Sequence, residues 1–141
     1  MGNRIALVTG ASRGIGAAIA TGLAHDGFDL WLNYKSNHEA AEKVKKEIEQ
    51  NKAQCRLLPF DVSDPEATLS VLDPLIEKET PYVLVNNAGF TKDMLMIWMN
   101  QNDWKDVLSV TLDGFFQVTR GVIKGMLTKR SRLCGRTRLS P

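Results

Sequence analysis

Short apolar runs alternate with longer segments of helical periodicity along this chain of 141 residues. The apolar runs lie at residues 5–8, 29–33, 56–60 and 81–85, and their length is typical of buried strands. The helical segments lie at about residues 15–25, at 39–50 and from 65 through 76, and the longest runs from about 102 or 103 to 128. Strands that alternate with helices predict an α/β fold with a doubly wound parallel sheet.

The longest predicted helix is apolar on more than one face. A helix of that kind needs cover on both sides, so we expect one side to lie on the sheet. Packing against the rest of the core is one way to cover the other side. The residues concerned are Leu108, Leu112, Phe115, Phe116, Val118, Val122, Ile123 and Met126.

A glycine-rich turn joins the first strand to the first helix, between Thr9 and Gly16. Gly10 lets the chain turn where a Cβ would clash, Gly14 lets the backbone approach a phosphate, and Gly16 lets the helix pack closely. The spacing is Gly-x-x-x-Gly-x-Gly, which differs from the general dinucleotide fingerprint Gly-x-Gly-x-x-Gly. The N–H groups and dipole of the following helix favour an anion, and a pyrophosphate is the expected ligand.

A second motif runs from Val83 to Gly89, where an apolar strand ends in Asn-Asn-Ala-Gly. Together with the glycine turn and Asp61-Val62, it resembles the short-chain dehydrogenase/reductase family over roughly residues 4–130. Within that family the chain is most similar to 3-oxoacyl-[acyl-carrier-protein] reductases. The likeness includes residues 91–96, Asp103-Trp104 and the helix from Val107 to Met126.

The resemblance implies a Rossmann-like sheet with strand order 3-2-1-4 in a homo-oligomer. It also implies that the other side of the longest helix contributes to a subunit interface, as an alternative to core packing. It also implies transfer of hydride from NADP(H) to a 3-oxoacyl thioester on acyl-carrier protein, in fatty acid biosynthesis. A site that prefers NAD places a carboxylate after the second strand, where this chain has residues 33–36 without an acid. Arg13 and Lys35 could neutralise a 2′-phosphate, although Lys35 could equally be a solvated surface lysine.

The resemblance also assigns residues to the cofactor. Asp61 is expected to accept a hydrogen bond from the adenine amino group, and Val62 to present its backbone N–H. An acidic helix-cap residue is the alternative for Asp61. The expected cofactor-binding residues are Gly10, Ser12, Arg13, Gly14, Ile15, Gly16, Asn33, Tyr34, Lys35, Ser36, Asp61, Val62, Asn87, Ala88 and Gly89.

The catalytic residues of the family are not found in these 141 residues. Family members use a serine and a Tyr-x-x-x-Lys motif that follow the long helix. The tyrosines here are Tyr34 and Tyr82, both expected at strand positions, and His38 and Asn86 stand four residues after them. Thr111 occupies the position of a family asparagine that holds a water in the proton relay. It is therefore the one candidate catalytic residue, and the chain alone is expected to be inactive.

Two further groups of side chains have less specific interpretations. Met94, Met96, Trp98 and Met99 form an apolar loop that either covers the sheet or contacts an acyl substrate. The two histidines, His25 and His38, are expected to have ordinary surface roles. Cys55 and Cys134 lack zinc or redox spacing and are expected to be free thiols, so no metal is predicted.

Composition places the chain among soluble globular proteins. Hydrophobic residues make up 43% and charged residues 24%, and no apolar run approaches the length of a membrane span. A cytoplasmic protein without membrane or nucleic-acid partners is the expectation.

Charge is unevenly distributed. Residues 1–128 hold 13 Lys and Arg against 16 Asp and Glu, a charge of −3, whereas residues 129–141 hold five basic residues and no acid, a charge of +5. We therefore expect residues 1–130 to form a partial NADP-binding domain and 131–141 a disordered or out-of-frame tail. A shifted reading frame or a truncated gene would produce such an ending. A natural basic tail that contacts nucleic-acid phosphates, or a splice-type variant end, is the alternative. On this interpretation the fourth strand is an unpaired sheet edge.

Overall fold

The computed structural model describes residues 4–128 and 133–136. In these ranges the strands form one parallel sheet in the order β3-β2-β1-β4-β5. The strands are Ile5–Val8 (β1), Asp29–Tyr34 (β2), Cys55–Pro59 (β3), Val83–Asn86 (β4) and Leu133–Arg136 (β5). The α-helices are Gly14–His25 (α1), His38–Gln50 (α2), Pro65–Lys78 (α3), Gln101–Leu108 (α4) and Gly114–Thr128 (α5). A 3₁₀ turn spans Met96–Trp98, and a π-helical segment, Ser109–Asp113, joins α4 to α5.

Helices cover both faces of the sheet, so the strands are apolar on both sides. Successive side chains of a strand point to opposite faces, and β1 shows the consequence. Ala6 and Val8 pack in the core beneath α1 and α2, whereas Leu7 packs with residues of α3 and α5. The α/β class and the strand order 3-2-1-4 predicted from the sequence are confirmed.

The prediction that β4 is an unpaired edge is wrong. Strand β5 lies beside it in parallel register, with Leu84 opposite Cys134 and Val85 opposite Gly135. The sequence pattern does not predict this strand, because residues 133–136 include glycine and arginine and no β-branched residue. The rest of the segment interpreted as a basic tail, residues 131–132 and 137–141, lies outside the described residues.

The predicted helix from residue 102 or 103 to 128 is confirmed as a continuous helical stretch over 101–128, but it is not one regular α-helix. It is divided by the π-helical segment, in which the N–H of Gly114 donates to the carbonyl of Ser109, five residues earlier. At Gly114 the helix lies against Val62, because a Cβ added to the glycine would lie 2.6 Å from Val62 Cγ2. One extra residue in the turn thus accompanies a close approach of the helix to the loop after β3.

Beyond this segment, α5 has one buried and one exposed face. Val118, Val122 and Met126 lie in the core beneath the sheet, which confirms that one side packs there. The apolar residues exposed on α5 and the π-helical segment are Leu112, Phe116, Ile123 and Leu127. Among the described residues, none of the helices combines the length and the apolar character needed to cross a membrane.

Candidate cofactor site

A cleft of about 1020 Å³ lies where the carboxyl ends of β1, β2, β3 and β4 meet. Open α/β sheets bind their ligands at this edge. Every residue that the sequence assigned to the cofactor lines this cleft except Gly16. The lining residues that sequence reasoning missed are Asn37, Phe60, Ser63, Phe90, Asp106, Ser109 and Val110.

Each glycine of the turn meets a different structural requirement. Gly10 has φ +61, and a Cβ there would lie 2.8 Å from Ala88 Cα. Gly14 has φ +60, and no atom lies within 4 Å of where its Cβ would be. Gly16 packs against the turn itself, since a Cβ would lie 2.5 Å from the carbonyl oxygen of Gly10 and would also meet the Asn87 side chain. The backbone at Gly14 therefore faces space that a ligand could fill.

The first turn of α1 lacks a side-chain cap, unlike the other helices that begin from a loop. Asn37, Asp64 and Asn100 each accept a backbone hydrogen bond at the N-termini of α2, α3 and α4. Arg13 stands at the same position before α1 and makes no such bond, and the first turn of α1 has no acidic residue. The leading N–H groups of α1 are thus left for an anion at the cleft.

Two polar side chains connect the ends of β1 and β4. Thr9 Oγ1 accepts hydrogen bonds from the N–H groups of Asn87 at 3.0 Å and Ala88 at 2.9 Å. In return, Asn87 Nδ2 donates to the carbonyl oxygens of Thr9 and Gly10, both at 3.1 Å. The Asn-Asn-Ala-Gly segment and the glycine turn are therefore held as one unit. Sequence reasoning gave Thr9 no role, although a hydroxyl residue at the end of a strand was a signal for one.

Asn33 connects three strand ends through a fully buried side chain. Its Oδ1 accepts from the N–H of Gly10 at 3.2 Å, and its Nδ2 donates to the carbonyls of Leu58 at 3.2 Å and Phe60 at 2.9 Å. Both amide hydrogens are thus used within the protein. Asn33 lines the cleft mainly by holding the glycine turn, and its assignment as a direct ligand stays a prediction.

Lys35 and Asp61 form an ion pair across the cleft, with 2.8 Å between Nζ and Oδ2. Asp61 Oδ1 also accepts hydrogen bonds from the backbone N–H of Ser63 at 2.9 Å and its hydroxyl at 2.7 Å. Burial raises the pKa of Asp61, but the hydrogen bonds from Lys35 and Ser63 outweigh it, so the pKa lies below its ordinary value. The hydrogen bond to Asp61 raises the pKa of Lys35. Both groups are therefore charged near neutral pH.

Tyr34 and His38 form a second polar contact beside the same end of the cleft. The Tyr34 hydroxyl lies 2.5 Å from Nδ1 of His38, and Nε2 of His38 lies 3.5 Å from a carboxylate oxygen of Glu42. Burial, together with the charge of Glu42, raises the pKa of Tyr34. His38 thus has a tyrosine partner, which the expectation of an ordinary surface histidine did not include.

The loop after β4 is attached to α4 by charge. Lys92 forms an ion pair with Asp103 and lies 3.7 Å from a carboxylate oxygen of Asp106. Asp103 also completes a capping box with Asn100 at the start of α4. The Asp103 hydrogen bond raises the pKa of Lys92, and the same bond lowers the pKa of Asp103.

The apolar part of this loop does not cover the sheet. Met94, Met96 and Trp98 are exposed, with 73% of Met96 and 70% of Trp98 accessible. The sequence alternative in which this loop packs over the sheet is therefore wrong for these residues. Consecutive apolar residues in a short 3₁₀ turn cannot all face inward, because they project in different directions.

Thr111 lies at the centre of the π-helical segment and is half-buried. It is not among the residues that line the cleft, although its neighbours Ser109 and Val110 are. Single π-helical turns occur often at functional sites. The catalytic assignment of Thr111 stays a prediction. Tyr82 lies just before β4 rather than in it, which corrects its expected strand position.

The fold and this site define a Rossmann-like α/β domain with a cleft at the carboxyl edge of its parallel sheet. Comparison with known proteins identifies the family. The sequence pattern of the short-chain dehydrogenase family matches residues 4–133. The chain therefore belongs to this family.

Two curated relatives carry the same kind of name. The chain is 37% identical over 130 residues to the 3-oxoacyl-[acyl-carrier-protein] reductase FabG of Staphylococcus epidermidis, covering 92% of this chain and 53% of that one. It is 38% identical over 129 residues to a 3-oxoacyl-[acyl-carrier-protein] reductase of Synechocystis sp., covering 91% and 52%. The chain thus spans about half the length of the curated relatives it matches.

Solved structures agree with this assignment. A protein assigned as a short-chain alcohol dehydrogenase from Sinorhizobium meliloti 1021 superposes with a TM-score of 0.83 at 32% identity, covering 91% of this chain and 51% of that one. A protein assigned as a gluconate dehydrogenase from Agrobacterium tumefaciens gives a TM-score of 0.88 at 29% identity, covering 96% and 53%. The resemblance drawn from the sequence motifs is confirmed at the level of the family.

Proposed function

We propose that this chain is the NADP(H)-binding part of a short-chain oxidoreductase that acts on 3-oxoacyl thioesters linked to acyl-carrier protein. The observation that carries the proposal is the glycine turn, where the backbone at Gly14 faces open space and the first turn of α1 lacks a side-chain cap. These features fit a pyrophosphate, which needs both close backbone approach and free N–H donors. The substrate class is taken from the names of the relatives.

The preference for a 2′-phosphate has separate support. Arg13 and Lys35 line the cleft, and residues 33–36 provide no carboxylate after β2. A guanidinium binds phosphate through several donors, and Arg13 is exposed and makes no capping bond. Lys35 supports this preference less strongly, because Asp61 already neutralises the charge of its ammonium group.

Bound NADPH would supply a hydride to the β-carbonyl carbon of the substrate. The residues of this chain would hold the cofactor, with α1 at the pyrophosphate, Arg13 at the 2′-phosphate, and Asp61 and Val62 at the adenine. The carbonyl oxygen would also need a proton, and the family takes it from a tyrosine in the Tyr-x-x-x-Lys motif. That motif is not found in these 141 residues. We therefore expect the chain by itself to bind the cofactor without turnover.

A second candidate function is a nucleotide-binding module that performs no catalysis. The missing Tyr-x-x-x-Lys pattern favours it. The two candidates make the same prediction for cofactor binding by this chain. They differ in whether the gene continues in frame into a catalytic segment, which sequencing past codon 141 in all three frames decides.

Calorimetric titration with NADP⁺ and NAD⁺ tests the proposal. We expect binding of both, weaker than in a complete reductase, with NADP⁺ bound more tightly. Equal or tighter binding of NAD⁺ would refute the charge argument, and no binding of either would refute the cofactor site. The same protein with NADPH and a 3-oxoacyl thioester should show no loss of NADPH absorbance. Turnover within about tenfold of a full-length relative would contradict the need for the missing proton donor.

A further inference from the structure

The carboxylate of Asp61 is held in place by its own loop. Its side chain is only 29% exposed, and both the N–H and the hydroxyl of Ser63 donate to Oδ1. Lys35 is the less constrained partner, with 71% of its side chain exposed. Because a lysine side chain is long and flexible, Asp61 decides where the Lys35 ammonium lies.

The charges of the side chains that line the cleft cancel one another. Arg13 and Lys35 are cationic, and Asp61 and Asp106 are anionic. Asp106 also interacts electrostatically with Lys35. A 2′-phosphate beside Lys35 would gain the attraction of the ammonium and meet the repulsion of the Asp61 carboxylate, which lies 2.8 Å from that ammonium.

We propose that Asp61 is a specificity-determining residue, whose pairing with Lys35 limits the preference of this cleft for a 2′-phosphorylated adenosine. This inference rests on the proposed cofactor site and goes beyond an adenine contact. A nucleotide without the 2′-phosphate meets the ion pair as a nearly neutral unit. A nucleotide with the phosphate competes with Asp61 for the single cation of Lys35.

The test compares two small probes, 2′,5′-ADP and 5′-AMP, which differ by the 2′-phosphate alone and do not need the nicotinamide part of the site. The ratio of their Kd values is measured by calorimetry at low ionic strength. Asp61→Asn removes the charge and keeps an oxygen that accepts from Ser63, so we expect the preference for 2′,5′-ADP to rise about two- to fivefold. Lys35→Gln leaves the Asp61 charge uncompensated, and the preference should fall by a similar factor. Because Asp61 is proposed to act through Lys35, Asp61→Asn should raise the ratio less in the Lys35→Gln background than in the wild-type chain.

Glu66→Gln provides the matched control, because it makes the same change in net charge at an exposed position that does not line the cleft. It should leave the ratio unchanged. High salt should bring the ratio of the two Kd values in each variant closer to the wild-type ratio. The side chains of Lys35 and Asp61 are partly exposed, so salt screens their charges. Circular dichroism establishes that each variant is folded, and Lys35→Gln tests the same pair from its exposed side if Asp61→Asn is unstable.

The outcomes separate this inference from the proposed function. Binding of both probes with an unchanged or lower preference in Asp61→Asn would overturn the inference and leave the cofactor site standing. An equal rise of the preference on Asp61→Asn with and without Lys35 would also overturn it, since Asp61 would then act independently of Lys35. Failure of both probes to bind the wild-type chain would overturn the inference together with the proposed function.

Discussion

The side-chain oxygen of Asn33 accepts a hydrogen bond from the backbone N–H of Gly10, and so connects the end of β2 to the glycine turn after β1. The same amide donates to the carbonyls of Leu58 and Phe60 beside the third strand. One buried side chain thus sets the relative positions of three loops of the cleft. The shape of the cleft depends on it.

Asn33→Ala should therefore lower the free energy of unfolding by about 3 kcal/mol or more, because it leaves three backbone groups, two of them buried, without this partner. Asn33→Asp should lower the free energy of unfolding by at least as much, since a carboxylate would face the carbonyl oxygens of Leu58 and Phe60. Urea denaturation measures both. Asn51→Ala removes an exposed amide that donates to Glu47, and its effect should stay below about 1 kcal/mol. Equal losses at Asn33 and Asn51 would contradict this role.

Arg13→Ala should reduce NADP⁺ affinity roughly three- to tenfold and leave NAD⁺ affinity almost unchanged, because the side chain is expected to contact only the 2′-phosphate. Arg13 makes no capping hydrogen bond, so the fold should be unaffected. Calorimetry measures the two affinities. Arg56→Ala is the control, because Arg56 is exposed on β3 and does not line the cleft. A parallel loss for both nucleotides would place Arg13 at the pyrophosphate instead.

The Lys35–Asp61 ion pair predicts a defined pH dependence. The folded pKa of Asp61 lies below its ordinary 3.8, so its contribution to stability is present above that value and is lost as the pH falls through the folded pKa. The pKa of Lys35 is raised above 10.5, so its contribution is lost only as the pH rises through the folded value. The difference in melting temperature between the wild type and Asp61→Asn should be constant from about pH 5 to 9 and should shrink as the pH falls below 3.8 and through the folded pKa. A difference that persists in acid would show that the charge is not its source.

Lys52 has φ +63, the left-handed conformation that favours glycine. Lys52→Gly should therefore raise the free energy of unfolding by up to about 1 kcal/mol. Lys46→Gly makes the same substitution at an exposed position within α2 and should lower it by about 1 kcal/mol. Chemical denaturation of the two variants provides the comparison, and a loss of stability in both would contradict the strain at Lys52.

We also expect the chain to self-associate. The exposed face of α5 includes Phe116 and Ile123, and burying one such side chain contributes roughly 1.5–3 kcal/mol. Phe116→Ser with Ile123→Ser should shift the protein towards the monomer in light scattering after size-exclusion chromatography. Leu69→Ser changes an exposed leucine on α3 and should not. A wild-type monomer at tens of micromolar would contradict the prediction. The edge of β4 does not contribute to this association, because β5 pairs with it.

Local patterns in the sequence were enough to predict the central architecture. Strand β1 was predicted at residues 5–8 because four consecutive apolar residues need burial on both faces, and the structure has it there. The carboxyl ends of parallel strands meet at one edge, so Gly10, Lys35, Asp61 and Asn87 could be expected around one cleft, and they line it.

Only the tertiary structure decided which of these side chains contact one another. Asn33 and Phe60 are 27 residues apart, and Thr9 and Ala88 are 79 apart, so their hydrogen bonds leave no periodic signal in the sequence. Strand β5 was missed for the same reason, since its place depends on the edge of β4 more than on its own side chains. The sequence by itself determined the family, the parallel sheet and the edge where a nucleotide would bind, because apolar periodicity and glycine conformation are local properties. The Lys35–Asp61 pair, the Asn33 contacts and the π-helical segment were decided by packing, because each depends on distant parts of the chain brought within a few ångströms.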